Sequence, residues 1–149
     1  MGLKERLKED LTASMRSRDE VRTGTIRMVL TAITNEEVSG KEMRTLADAE
    51  IITVLSREAK KRREAAEAFD SAGSKDRADL ERKEGEIIAQ YLPAQLSEAE
   101  LKEMIAAAIA ESGATGPAGM GLVMKALSPK IAGRADGAAV SAAVKAALN

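Results

Sequence analysis

The chain of 149 residues contains no cysteine, no histidine and no tryptophan. Without cysteine it has no disulfide, no thiolate nucleophile and no Cys/His zinc site. Without histidine it lacks the commonest general base, and with it the Ser-His-Asp and Cys-His arrangements. Asp, Glu, Lys, Ser and Tyr remain for acid–base work, so the expectation of an enzyme is weak, with no catalytic residue, no metal site and no cofactor in view. Aromatic side chains are nearly missing too, Phe69 and Tyr91 being the two present. A sheet protein leans on aromatic and β-branched residues, so their scarcity argues for helices. Formal net charge is −1, which removes the strongly basic whole-chain field that is the plainest sign of a nucleic-acid binder. No apolar run reaches transmembrane length. The start of the chain carries Lys4, Glu5, Arg6, Lys8, Glu9 and Asp10 with no apolar segment behind them. It does not read as a signal peptide, and a cytoplasmic location away from membranes is expected.

Hydrophobic residues make up 44% of the chain and charged residues 32%, a globular balance supplied mainly by strong helix formers. Leu3, Leu7, Leu11 and Met15 form one apolar stripe at helical spacing. Asp19 is placed to cap a second helix carrying Arg22, Ile26, Val29, Leu30 and Ile33, which Ser39-Gly40 closes. Thr45 to Asp48 resembles a capping box opening a third helix, with Ile51, Ile52, Leu55, Ala59, Ala66 and Phe69 along one side. Ser71-Ala72-Gly73-Ser74 stops it. A fourth helix holds Leu80, Ile87, Ile88, Tyr91 and Leu92, and Pro93 ends it.

Beyond Pro93 charge becomes sparse and Ala and Gly abundant, which places a domain boundary there. Ser97 and Glu100 make a full capping box for a helix with Leu101, Met104, Ile105, Ala108 and Ile109, closed by Gly113. A short helix follows on Met120, Val123, Met124 and Leu127, with Pro129 as its end. After the loop Gly133 to Gly137, Asp136 caps a last helix on Val140, Val144 and Leu148. The expected fold is all-α: a four-helix bundle over residues 1–92 and a compact three-helix domain over 93–149, with interhelix loops of roughly 2–8 residues.

Three features could carry chemistry. The run Lys60-Lys61-Arg62-Arg63 could bind phosphate. Its residues point around most of a helical turn, however, and Glu58–Arg62 and Arg63–Glu67 can pair at i,i+4, so a solvated helix face is the better reading. The acidic neighbours Glu36-Glu37 and Glu84/Glu86 do not face one another on a helix and suggest no buried catalytic pair. From Met120 onward Lys125, Lys130, Arg134 and Lys145 stand against one acid, Asp136, a net +3. Gly119, Gly121, Gly133 and Gly137 lie among them and could let a ligand approach the backbone. The start of the last helix offers free N–H groups to a phosphate.

Several segments together resemble the YqeY-like (GatB/YqeY domain) proteins across nearly the whole chain. They are Leu3-Lys4-Glu5-Arg6-Leu7, Thr25 to Leu30, Ala59 to Arg63, Tyr91-Leu92-Pro93, Met120 to Lys125 and Gly133 to Gly137. The resemblance implies an all-helical fold of four and then three helices, akin to the tail of GatB, a component of the aspartyl/glutamyl-tRNA amidotransferase. That tail helps hold tRNA, while the glutamine-dependent amide chemistry is done elsewhere in the enzyme. The family's label, carbon–nitrogen ligase with glutamine as amido-N-donor, goes with a catalytic portion that this sequence lacks. The expectation is a tRNA-binding or tRNA-enzyme accessory module. Its tRNA would be held by phosphate contacts from Lys125, Lys130, Arg134 and Lys145, with close approach at Gly121, Gly133 and Gly137. An aminoacyl-tRNA synthetase or amidotransferase is the expected protein partner. A protein-interaction adaptor is the alternative, and a free-standing ligase a second one.

Overall fold

The computed structural model describes all 149 residues. It is all-helical, with α1 Leu3–Arg16, α2 Glu20–Glu37, α3 Asp48–Ser71, α4 Lys75–Ala89, α5 Glu98–Ser112, α6 Met120–Ile131 and α7 Gly137–Leu148, plus one 3-10 turn at Pro117–Gly119. No helix is long and apolar enough to cross a membrane. The chain forms two compact units, Met1–Leu92 and Pro93–Asn149.

In the N-terminal unit α1 to α4 bury one core: Leu7 from α1, Ile26, Val29 and Ile33 from α2, Ile51, Val54 and Leu55 from α3, Ile88 from α4, Tyr91 from the turn after it, and Leu46 from a loop. Asp19 caps α2 as its side chain suggests, accepting from the Arg22 N–H at 3.1 Å. The stripe on α1 is shorter than its spacing implies. Leu7 is fully buried and Leu3 and Leu11 pack on the core, but Met15 stays exposed. On α4, Leu80 is likewise exposed, because the distal part of the α3–α4 hairpin carries no residue of that core. There the two helices bury the small side chains of Ala66 and Ala78 instead.

Several ends differ from the sequence reading. Ser39 closes α2 as expected, its N–H and hydroxyl donating to the Glu36 carbonyl at 3.3 and 2.8 Å, but from Glu37 the chain runs through residues 38–47 to α3, a longer connection than the ~2–8 residues usual in bundles. Glu37 organises it. Its carboxylate accepts from Lys4 Nζ at 2.6 Å and from the Leu46 N–H at 3.1 Å, and its backbone carbonyl accepts from the Arg44 N–H at 3.0 Å. Leu46 is thereby held in the core. The cap of α3 is Ala47 rather than Thr45, and Glu50 satisfies the Ala47 N–H at 3.2 Å. Helix α4 ends at Ala89, and Gln90, Tyr91 and Leu92 continue as a tighter turn whose N–H groups bond three residues back.

The C-terminal unit has its own core of Ile105, Ala108, Ala114, Val123, Leu127, Ile131, Val140 and Val144. The capping box of α5 is complete, with Ser97 Oγ accepting from the Glu100 N–H at 3.1 Å and Glu100 accepting from the Ser97 N–H at 3.0 Å. Gly113, at φ +66°, closes that helix. Pro129 does not end α6, which continues through it to Ile131. Ile131 is buried in the core, and that anchorage carries the last turn past the missing N–H.

Candidate nucleic-acid interface

Three of the four cations from Met120 onward are free. Lys125 on the middle of α6, Lys130 in its last turn and Lys145 in the last turn of α7 are exposed, and none has an ion-pair or hydrogen-bond partner in the chain. Placing a cation near a helix C-terminus favours the helix itself through the macrodipole, so Lys130 and Lys145 have a local role as well. Arg134 differs. It is half-buried, and its Nε donates to the Ala94 carbonyl at 2.9 Å while its own carbonyl accepts from the Leu96 N–H at 2.9 Å. Arg134 therefore ties the segment leading into α5 to the loop before α7. Gln95 reinforces this tie by donating to the Gly133 carbonyl at 2.7 Å.

The glycines divide by role. Gly133 sits at φ +73° and makes the turn after α6, a conformation that disfavours other residues. Gly119 is not open to a ligand. A Cβ there would lie 2.7 Å from the Ala114 Cβ, so this glycine lets the 3-10 turn close on Ala114. At Gly121 and Gly137 a Cβ would meet nothing within 4 Å, so packing inside the chain does not require glycine at either place and the backbone there is bare. Asp136 caps α7 through the Ala139 N–H at 3.4 Å, which places a carboxylate over that helix start. This acid works against an anion at the same N–H groups.

The basic run on α3 is not simply a solvated face. Arg62 turns inward and lies 3.8 Å from Glu58, 3.5 Å from Glu81 and 3.3 Å from Glu84, so it bridges α3 to α4. Lys61 also pairs with Glu58, at 3.0 Å. The Arg63–Glu67 pair that the spacing permits does not form. Of the acidic neighbours, Glu37 is buried, and its cation comes from α1 rather than from an adjacent carboxylate. Its pairing with Lys4 and the Leu46 N–H holds its carboxyl below the usual carboxylate range.

Sequence reasoning did not anticipate the polar cluster around Tyr91. The Tyr91 hydroxyl donates to Asp10 and accepts from Arg22 Nη2 at 3.3 Å, and the Arg6 guanidinium lies 4.7 Å from the ring centroid. Arg22 also donates to Gln90 at 2.8 Å. These residues are up to 81 positions apart, so no local spacing could have shown the cluster. The C-terminal unit also has an open groove of about 700 Å³ between α5 and α7, lined by Leu101, Ile105 and Ile109 on one side and Ala139, Ala143 and Ala147 on the other.

Fold and charge define a small all-helical protein whose C-terminal unit displays unpaired lysines beside bare backbone. The chain belongs to the YqeY-like family: the model of that family, described as Yqey-like protein, matches residues 4–148. It is also similar to the altered inheritance of mitochondria protein 41, mitochondrial, of Clavispora lusitaniae (strain ATCC 42720), with 33% identity over 101 residues. That match covers 66% of this chain and 58% of the relative, so the chain spans little more than half of that protein's length.

Proposed function

We propose that the chain is a tRNA-binding or tRNA-enzyme accessory module. It works beside a tRNA-dependent amidotransferase or an aminoacyl-tRNA synthetase and has no catalysis of its own. The observation that carries this reading is the set Lys125, Lys130 and Lys145, exposed and unpartnered on one unit. Cations left free by the fold are available to phosphates, and the two aromatic residues of the chain lie outside this unit, so contact is to backbone rather than by base stacking. Family membership supports the reading through the kinship of YqeY-like chains with the amidotransferase tail.

The test is binding of bulk tRNA across a salt series by the full chain and by K125A/K130A/K145A. Arg134 is left in place because its loss also removes the bond to Ala94. Each phosphate contact contributes roughly 0.7–0.9 to the slope of log K against log salt, so the triple variant should bind more weakly with a slope shallower by roughly 2.1–2.7. Equal affinity at every salt concentration overturns the assignment. Purified protein supplied with glutamine, ATP and misacylated tRNA should show no amide transfer, and turnover would restore the ligase reading.

The groove between α5 and α7 favours a second reading, an adaptor for an amphipathic helix of a partner protein. Its alanine wall lets a helix backbone come close, and its Leu and Ile wall supplies apolar area. Capture of a partner that survives nuclease and is lost in A143E would favour this reading over the first.

A further inference from the structure

The corner between α1 and α2 breaks two local rules at once. Helix α1 ends in a Schellman motif: the Asp19 N–H bonds the Ser14 carbonyl at 3.0 Å and the Arg18 N–H bonds the Met15 carbonyl at 3.2 Å. The residue at the turn of that motif is left-handed and is usually glycine. Here it is Arg18, at φ +58°, the one non-glycine residue of the chain at positive φ. Six residues on, Gly24 lies inside α2, where glycine weakens a helix relative to alanine. A Cβ at Gly24 would meet nothing within 4 Å, so no packing in the chain requires its absence. An arginine stands where glycine suits the backbone, and a glycine where a side chain would suit it.

Both residues line one pocket of about 390 Å³, with Met15, Glu20, Thr23 and Arg27. Arg27 is exposed and makes no ion pair, its closest acceptor being the weak Met15 Sδ at 3.1 Å. Nearby Arg22 is committed to Gln90, Tyr91 and Asp10, and Asp19 to its cap. The pocket that the bare Gly24 backbone lines thus holds two guanidinium groups outside any ion pair, that of Arg18 and that of Arg27, the latter bonded only to a thioether sulfur. Guanidinium pairs suit phosphate, which they bind through forked hydrogen bonds. The volume falls at the lower end of small-molecule sites, ~300–1,000 Å³, which is more than a phosphate alone needs. Met15 is 43% exposed for a large apolar side chain and can lie against a base or sugar face. Glu20 offers an acceptor to a sugar hydroxyl.

The geometry points to a nucleotide pocket at this corner: Arg18 and Arg27 hold the phosphate, Gly24 lets it approach α2, and Met15 and Glu20 receive the nucleoside. The nucleotide is either free or part of an RNA strand. This site belongs to the N-terminal unit, and its assignment does not depend on that of the lysines of the C-terminal unit.

The test is titration of the full-length, ¹⁵N-labelled chain with a 5′-mononucleotide, a short oligoribonucleotide and inorganic phosphate, following the Gly24 and Arg18 amide signals. The mononucleotide or the oligonucleotide should shift them, with inorganic phosphate acting more weakly. If the mononucleotide suffices, the source is a free nucleotide. If only the oligonucleotide binds, the source is RNA, and both outcomes support the pocket. R18G/R27A should lose affinity about tenfold or more, as expected for two charge-assisted contacts. R18G suits the backbone there and should raise the thermal midpoint, so a loss of binding does not come from unfolding. G24L raises helix propensity and fills the pocket, and should weaken binding to a similar degree. K125A/K130A/K145A should leave these shifts unchanged, which separates this site from the C-terminal one. The proposal is overturned if no ligand moves the Gly24 signal at about millimolar concentration, or if R18G/R27A and G24L bind as the parent does.

Discussion

Replacing Tyr91 by Phe removes one hydroxyl from the centre of the N-terminal unit's polar cluster and leaves the ring in place. Tyr91 is 4% exposed, its hydroxyl donates to Asp10 and accepts from Arg22, and the Arg6 guanidinium keeps its position over the ring. Hydrogen bonds involving charged groups contribute about 1.5–3 kcal/mol each. The Asp10 and Arg22 side chains are 33% and 28% exposed, so both regain water when the hydroxyl goes, and the cost falls to about 1–2 kcal/mol. Urea unfolding of the two proteins at neutral pH measures it as a lower midpoint at unchanged slope. The pH dependence gives a second signature. Burial, and then the bond to Asp10, push the Tyr91 hydroxyl from its ordinary value of 10.0 up to about 12. The folded chain therefore keeps the proton that the unfolded chain loses first. The stabilisation is whole below pH 10 and is lost as pH rises through about 12. The difference in stability between parent and Y91F should shrink across that range. A cost below about 0.5 kcal/mol at neutral pH, or a difference that does not change on the alkaline side, would refute the account of Tyr91 as the keystone of this cluster.

Two further outcomes test other joints of the fold. Gly119→Ala forces a Cβ to within 2.7 Å of the Ala114 Cβ, and chemical unfolding should show a loss of about 1–3 kcal/mol, typical of overpacking. Glu37→Gln removes a carboxylate whose pKa is lowered by Lys4 first and by the Leu46 N–H second. A lowered folded pKa contributes stability that is whole above the ordinary value of 4.5 and is lost as pH falls through the folded value. Thermal melts on the acid side should therefore show a steeper decline for the parent than for E37Q, and parallel declines would contradict the pairing.

The helices were legible because their signals are local. Caps at Asp19 and Ser97, the left-handed Gly113 and the spacing of Leu7, Ile26 and Ile33 each need only a few neighbouring residues to be read. The misread ends share a different cause. Pro129 sits inside α6 because Ile131 is anchored in a core built by other helices. Thr45 does not cap α3, which begins only at Asp48 with Ala47 as its cap and Glu50 satisfying the Ala47 N–H. Met15 and Leu80 continue their stripes into solvent because an apolar spacing says which face could be buried and not whether a partner reaches it. Arg62 shows the same limit for charge. Its i,i+4 partner Glu58 was visible, whereas Glu81 and Glu84 come from the next helix.

The C-terminal cations could be picked out by counting charge, but counting could not sort them. Arg134 looks like its neighbours in sequence, yet its Nε belongs to the Ala94 carbonyl, and only the lysines are left free. At the α1–α2 corner the sequence showed nothing, because Ser17-Arg18-Asp19 reads as a polar interruption and one glycine in a helix is unremarked. Each becomes informative once the backbone is known. A left-handed arginine and an unrequired helical glycine both lower stability, and each is replaceable by a common residue that the fold accepts better. Random drift could leave one such residue anywhere on the surface. Two in the same pocket, beside a second arginine without an ion pair, share a cause that the chain's own packing does not supply, and a bound anion supplies it.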